Sequence, residues 1–220
     1  MTGPVLELQD LTIVPTGSGA ALFPPLSLRV TPGELVAVMG PSGVGKSTLI
    51  SAIGGHLDTA FALRGRVRLE GTDITSLPAE ARRIGVMFQD ALLFPHLSVG
   101  DNLAFGLSPE IRGRRQRCAA VEAALDQAGL SGFYERDPAT LSGGQRSRAA
   151  LMRTLLARPK ALLLDEPFSG LDAAMRDELR SFVFAHLRRI GIPTLIVSHD
   201  PEDAKAGGAR IVTLDAGRAR

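Results

Sequence analysis

The stretch "LVAVMGPSGVGKSTLISAIGG" constrains the fold more than any other part of this chain. An apolar run reads as a buried strand, a glycine-rich turn follows, and an apolar-periodic segment then reads as a helix. Within it, Gly40-x-x-x-x-Gly45-Lys46-Ser47 has the spacing of a phosphate-binding loop. Glycines in such a turn let backbone N–H groups converge on a β-phosphate, and the helix N-terminus behind them favours negative charge. Lys46 would reach the β- and γ-phosphates, and the Ser47 hydroxyl would ligate Mg²⁺. The candidate nucleotide-binding residues are therefore Gly40, Pro41, Ser42, Gly43, Val44, Gly45, Lys46, Ser47 and Thr48. A plain glycine turn is the competing reading, and the strand-then-helix setting argues against it.

A second apolar run, "ALLLDEP", ends on two adjacent carboxylates, Asp165 and Glu166. Successive strand residues point to opposite faces, so a fully extended pair would diverge. The two must sit where the strand finishes and the chain turns at Pro167. Ligands of parallel sheets bind at the carboxyl ends of the strands. There Asp165 would hold Mg²⁺ through water, and Glu166 would polarise an attacking water. His199 ends a third apolar run, "LIVSHD", and Gln89 closes "VMFQD". Each alone is more often a structural or surface residue. Both, however, fall where strands of one sheet would converge on a γ-phosphate, and neither adds a competing charge.

"TLSGGQRSRAALMR" is a further glycine turn opening a helix, with Ser142 in the N-cap region. Three readings stand: a structural cap, a second nucleotide site, or half of a composite site.

Short apolar and alternating runs dominate the first third of the chain, helical periodicity runs from about 97 to 158, and strands and helices alternate after that. This order predicts an α/β fold: a P-loop core on a predominantly parallel sheet, covered on both faces, with an inserted α-helical subdomain. On that helical stretch Ala119, Val121, Ala124, Leu125 and Ala128 are expected to share one face, closed by Gly129. No internal repeat or linker interrupts residues 1–220, so one domain is expected. A net charge of +2 is too small to argue for nucleic acid, and "IRGRRQR" reads as a solvated helix face. The single cysteine, Cys118, allows no internal disulfide and fits a reducing compartment. The first residues lack a signal-peptide pattern, and no stretch reaches the length of a membrane span. A soluble, cytoplasmic protein is expected, with any membrane role supplied by a partner.

Taken in order, the P-loop, Gln89, "LSGGQ", "LLLDEP", "SGLD" and His199 resemble the ATP-binding cassette (ABC) family over essentially the whole chain. The resemblance implies an N-terminal antiparallel β subdomain beside the core, and an ATPase that uses ATP and Mg²⁺. It implies a homodimer of head-to-tail cassettes, each ATP lying between one P-loop and the partner's signature. Ser142, Gly143, Gly144 and Gln145 would then serve the partner's γ-phosphate, and Asp172 would lie at the dimer interface and couple the two sites. Glu166, His199 and Gln89 take the catalytic roles, with His199 sensing the γ-phosphate. Ser47, Gln89 and Asp165 surround the metal, and Gln89 reports to the membrane subunit through "DALLFPHLSV". Transmembrane permease subunits and a periplasmic substrate-binding protein are the implied partners, at the cytoplasmic face of the inner membrane. The motifs look most like bacterial importers of the thiamine, sulfate and polyamine group, including the Ynj-type. An exporter or lipoprotein-extraction cassette, or a non-transport ABC ATPase, are the alternatives. No C-terminal regulatory domain is expected after "RIVTLDAGRAR". Where the family places an adenine-stacking aromatic, "IVPTGSGAALF" offers only Phe23.

Overall fold

Short β-branched and leucine-rich runs punctuated by glycine turns become nine strands in the computed structural model, which describes residues 3–215. Among these residues the chain divides into two compact units. Residues 3–86, 160–166 and 186–215 form the first, and 87–159 with 167–185 form the second.

The first unit holds an antiparallel sheet of β1 (Leu6–Pro15), β2 (Leu26–Val30), β4 (Phe61–Leu69) and β5 (Thr72–Asp73), in the order β2-β1-β4-β5. β4 begins before the alternating "GRVRLEG" that announces it in the sequence. The register of β1 shifts against both neighbours at Asp10, whose φ is 48°. Asp10 is held there by Ser27, which donates to its carboxylate and accepts its N–H, each at 2.9 Å.

A second sheet runs β6-β7-β8-β3-β9, from β3 (Leu35–Met39), β6 (Ile84–Met87), β7 (Ala161–Asp165), β8 (Thr194–Val197) and β9 (Arg210–Thr213). β7 pairs parallel to β8, and β8 and β9 pair parallel to β3. Every residue of β7 and β8 is buried, as expected of parallel strands covered on both faces. Val38 and Asp165 both pair with Val197. The residues that follow, Gly40, Glu166 and Ser198–His199, therefore leave the sheet along one edge. Helix α1 (Lys46–Gly54) packs Leu49, Ile50 and Ile53 into the core beside Leu163, Leu195 and Val197. The buried Arg82 guanidinium closes the other end of α1 by donating to the carbonyls of Ala52 and Ile53 at 2.8 and 2.9 Å. The last expected strand, "ARIVTLDAG", is β9 in part, and residues 216 and 217 lie outside the described residues.

The second unit is helical: α2 (Val99–Phe105), α3 (Arg114–Gln127), α4 (Gly143–Leu156) and most of α5 (Ala173–Ile190). A last helix, α6 (Pro201–Gly207), returns to the first unit. Val121, Ala124, Leu125 and Ala128 form the buried stripe of α3, but Ala119 is exposed. Two residues turn a helix by about 200°, so positions 119 and 121 face opposite ways.

Candidate functional site

The loop between β3 and α1 is shaped by contacts that only glycine permits. A Cβ on Gly40 would collide with the carbonyl oxygen of Leu214, where the chain beyond β9 donates to Met39 at 2.7 Å. Gly45 caps α1 in the left-handed region at φ 102°, with no side-chain cap and no acidic residue in the first turn. The loop exposes Pro41, Ser42 and Gly43, buries Val44, and half-buries Thr48. The aliphatic stem of Lys46 is buried, and its ammonium donates to the carbonyls of Gly40 and Pro41 at 2.9 and 3.0 Å. An ammonium has three donors, so one remains for a ligand at the mouth of the loop.

At the carboxyl edge of the sheet, Ser47 Oγ donates to Oδ1 of Asp165 at 2.9 Å. Burial pushes the Asp165 carboxyl above the usual range; Glu166 raises it further, while the Ser47 hydrogen bond and Lys46 oppose the shift. The hydroxyl and carboxylate oxygens are hard donors of the kind Mg²⁺ takes, and the buried, proton-favouring carboxyl is one that a cation would hold ionised. The residues present fit that ion. Among the described residues no cluster of three or more His, Cys, Asp or Glu could hold a metal ion.

How adjacent carboxylates at a strand end can serve one site is answered by the backbone. Glu166 has φ 47°, the left-handed region, while its N–H still donates to Val197 at 2.9 Å and extends the ladder with β8. A non-glycine residue there is strained by about 1–3 kcal/mol, and such strain concentrates at functional positions. Its effect is to break the alternation after Asp165 and bring Glu166 Oε2 to 2.9 Å from Nδ1 of His199. Lys46, Ser47, Asp165, Glu166 and His199 are thus all elements of the first unit.

Gln89, the Ser142 turn and Asp172 belong to the second unit. Gln89 is exposed, beyond the end of β6. The segment after it is tied down by Asn102, which is fully buried and accepts the Phe94 N–H at 2.7 Å while donating to the carbonyls of Phe94, Leu97 and Ser98. Sequence reasoning passed over Asn102. The available signal was a lone amide inside the apolar pattern "VGDNLAF". Ser142 caps α4 in a complete capping box: its Oγ accepts the Gln145 N–H at 3.2 Å, and Gln145 Oε1 accepts the Ser142 N–H at 2.9 Å. A Cβ on Gly143 would press on Leu171, whereas one on Gly144 would meet nothing within 4 Å. Asp172 caps α5, its Oδ1 accepting the Met175 N–H at 2.9 Å. Phe23, the one aromatic near the expected adenine position, is 0% exposed in the core and offers no stacking face. Its ring is drawn inward by the apolar cluster that also holds Leu11, Ile13 and Val44.

Comparison with known proteins gives concordant matches. The family model described as "ABC transporter" matches residues 23–169. The chain is 50% identical over 181 residues to "Uncharacterized ABC transporter ATP-binding protein YnjD" of Escherichia coli strain K12, covering 82% of this chain and 83% of that protein. It is 45% identical to a sulfate/thiosulfate import ATP-binding protein, CysA 2, of Chromobacterium violaceum over 87% of this chain, but it spans only 51% of that longer relative. Among solved structures, a dimeric post-hydrolysis state of the ATP-binding cassette MJ0796 bound to ADP and Pi superposes with a TM-score of 0.80, at 28% identity and 97% coverage of both chains.

Proposed function

The chain belongs to the ABC transporter ATP-binding family, and from that premise we propose that it hydrolyses ATP to energise a bacterial importer of a small solute. The observation that carries the reading is the edge of the parallel sheet, where the Ser47–Asp165 and Glu166–His199 pairs, each at 2.9 Å, stand beside a P-loop.

The geometry supports the following roles. The first-turn N–H groups of α1 and the third Lys46 donor bind and orient the β- and γ-phosphates. Ser47 and Asp165 would hold Mg²⁺, which when bound would neutralise charge on the phosphate oxygens. Glu166 accepts the proton of the attacking water. With Glu166 ionised, Nδ1 of His199 carries a proton and donates to it, which orients the carboxylate. Nε2 of a neutral ring is then an acceptor and meets phosphate through water; a protonated ring donates to it directly.

Two copies assemble head to tail, so that the Ser142–Gln145 turn completes the partner's site and Asp172 lies where the two meet. Gly144 supports this. Glycine inside a helix costs about 1 kcal/mol relative to alanine, and among the described residues nothing lies within 4 Å of a Cβ added there. Close approach from outside supplies a reason. The dimeric state of the MJ0796 cassette supports a dimer of this chain.

Permease subunits bind the second unit, which exposes Leu92 after Gln89 and Phe105 on α2, the latter stacked edge-on against Phe94. Among the described residues no helix is long and apolar enough to cross a membrane, so the chain reaches the cytoplasmic face of the inner membrane through those subunits. Relatives named for import of sulfate/thiosulfate and of thiamine support import, with a periplasmic binding protein delivering the solute.

Glu166→Gln tests the assignment. It should bind ATP, hydrolyse it at least about a hundredfold more slowly, and accumulate as an ATP-dependent dimer on size exclusion. Wild-type turnover would remove Glu166 from the role of base. Isolation with membrane subunits that carry an extracting domain, and with no solute-binding protein, would overturn import.

A further inference from the structure

His199 makes its bond to Glu166 from an exposed position. Its side chain is 66% accessible, against 15% for that of Glu166. A ring so exposed has little packing to fix it, and its placement falls to the backbone that carries it. That backbone is tied by two side chains that take no part in the scheme above. Ser198 and Asp203 are 1% and 4% exposed. The Ser198 hydroxyl donates to Oδ2 of Asp203 at 2.5 Å and accepts the Asp200 N–H at 3.0 Å. Asp200 accepts the Glu202 N–H through Oδ1 at 2.9 Å and the Asp203 N–H through its carbonyl at 3.1 Å. The segment from Ser198 to Asp203 is therefore a ring of hydrogen bonds closed across its base, with His199 on its outer edge. The same serine anchors the ring to the sheet, its N–H reaching the Val38 carbonyl at 3.4 Å.

Burying a carboxylate is costly even when it is hydrogen-bonded, and an apolar side chain of similar volume is often as stable or more so. The Ser198–Asp203 pair is thus a poor device for stability and a good one for geometry, because it defines the exit of the chain from β8 one residue before the imidazole.

We propose that the Ser198–Asp203 hydrogen bond is a latch that sets His199 against Glu166, making both residues positioning residues for hydrolysis. This rests on the role given above to the Glu166–His199 pair.

Steady-state ATPase assays and NMR of the full chain test it together. Ser198→Ala should lower kcat about tenfold, since misplacing a catalytic group by about 1 Å can cost up to a hundredfold, and leave KM within about twofold. Ser198→Thr, which restores the hydroxyl, should recover kcat. Asp203→Ala should lose a similar factor, and the double variant no more than either single one. Independently of turnover, a nuclear Overhauser contact between the His199 ring and the Glu166 side chain should be present in wild type and Ser198→Thr and lost in Ser198→Ala. A contact that survives Ser198→Ala in a normally melting protein overturns the latch, as do losses that multiply in the double variant. Loss of the contact with kcat unchanged upholds the latch and overturns the catalytic role of the pair. Should Asp203→Ala fail to fold, the two Ser198 variants decide alone.

Discussion

Helices α1 and α4 both open at glycine turns, and they finish their first turns in opposite ways. α1 starts from Gly45 with no side-chain cap, so its leading N–H groups and the positive end of its dipole face an incoming anion. α4 starts from Ser142 with a full capping box that uses the Gln145 and Ser142 N–H groups internally. The first turn is built to be completed by a ligand, and a lysine and a buried carboxyl stand beside it. The second is largely complete in itself, and it offers outward the N–H groups of Gly143 and Gly144 and the proton of the Ser142 hydroxyl. One pattern in sequence therefore serves two electrostatic designs: a binding loop, and a rigid surface that can be presented to a second copy.

The largest expected effect breaks or upholds that division outright. Lys46→Ala and Ser142→Arg homodimers should each lose at least about a hundredfold in turnover, the range seen on removing a single stabilising donor. If the signature turn completes the partner's site, a mixed dimer of the two pairs one intact P-loop with one intact signature and should trap ATP at a single site. If ATP retention follows each chain's own lesion with no rescue by the partner, the α4 turn is only a cap.

Ligand-linked stability sharpens the same contrast. ATP at a hundred times its Kd should stabilise the wild-type chain by about 2.7 kcal/mol. In urea titrations this increment should vanish in Lys46→Ala and persist in Ser142→Ala. Persistence in Lys46→Ala would mean that the loop around Gly45 is not where the phosphates are held.

Smaller again is the cap itself. Without nucleotide, Ser142→Ala should cost about 1 kcal/mol of unfolding free energy, and Ser142→Gly only a few tenths. An unchanged urea midpoint for Ser142→Ala would show that the capping box contributes nothing to the fold.

The last effect belongs to the P-loop side alone. Burial raises the Asp165 carboxyl above its unfolded value of 3.8, so the native state binds its proton more tightly than the unfolded one. Ionisation therefore costs stability above the raised native value, and that cost fades as pH falls through it toward 3.8. In nucleotide-free protein with EDTA, Asp165→Asn should melt higher than wild type at pH 7, with the gain shrinking as the pH is lowered. A lower melting temperature at pH 7 would mean that the bond from Ser47 outweighs the desolvation of the carboxylate.

Much of this site is legible in sequence because its signals are local. The spacing from Gly40 to Ser47 places a loop between a strand and a helix, "LLLDEP" ends a buried strand on two carboxylates, and "VSHD" ends another on His199. Turn chemistry and hydrophobic period act within a few residues, so a single sequence carries them. Side-chain direction and burial do not act that way. Nothing in "IVPTGSGAALF" says that Phe23 points into the core, and nothing in "VGDNLAF" says that Asn102 binds four backbone groups of the preceding loop. Ser198 and Asp203 read as ordinary polar residues until the turn into α6 closes them on each other.

The order of strands and helices, the P-loop and the chemical types of the candidate catalytic groups were determined by the sequence itself, through interactions between near neighbours. The tertiary structure decided that Val38 and Asp165 both stand opposite Val197, so that three separate strand ends open on one edge. It also decided that Glu166 takes a left-handed backbone and turns to His199. Sheet register and a strained dihedral are held in place by packing between residues far apart in the chain, and no local pattern encodes the balance of those contacts.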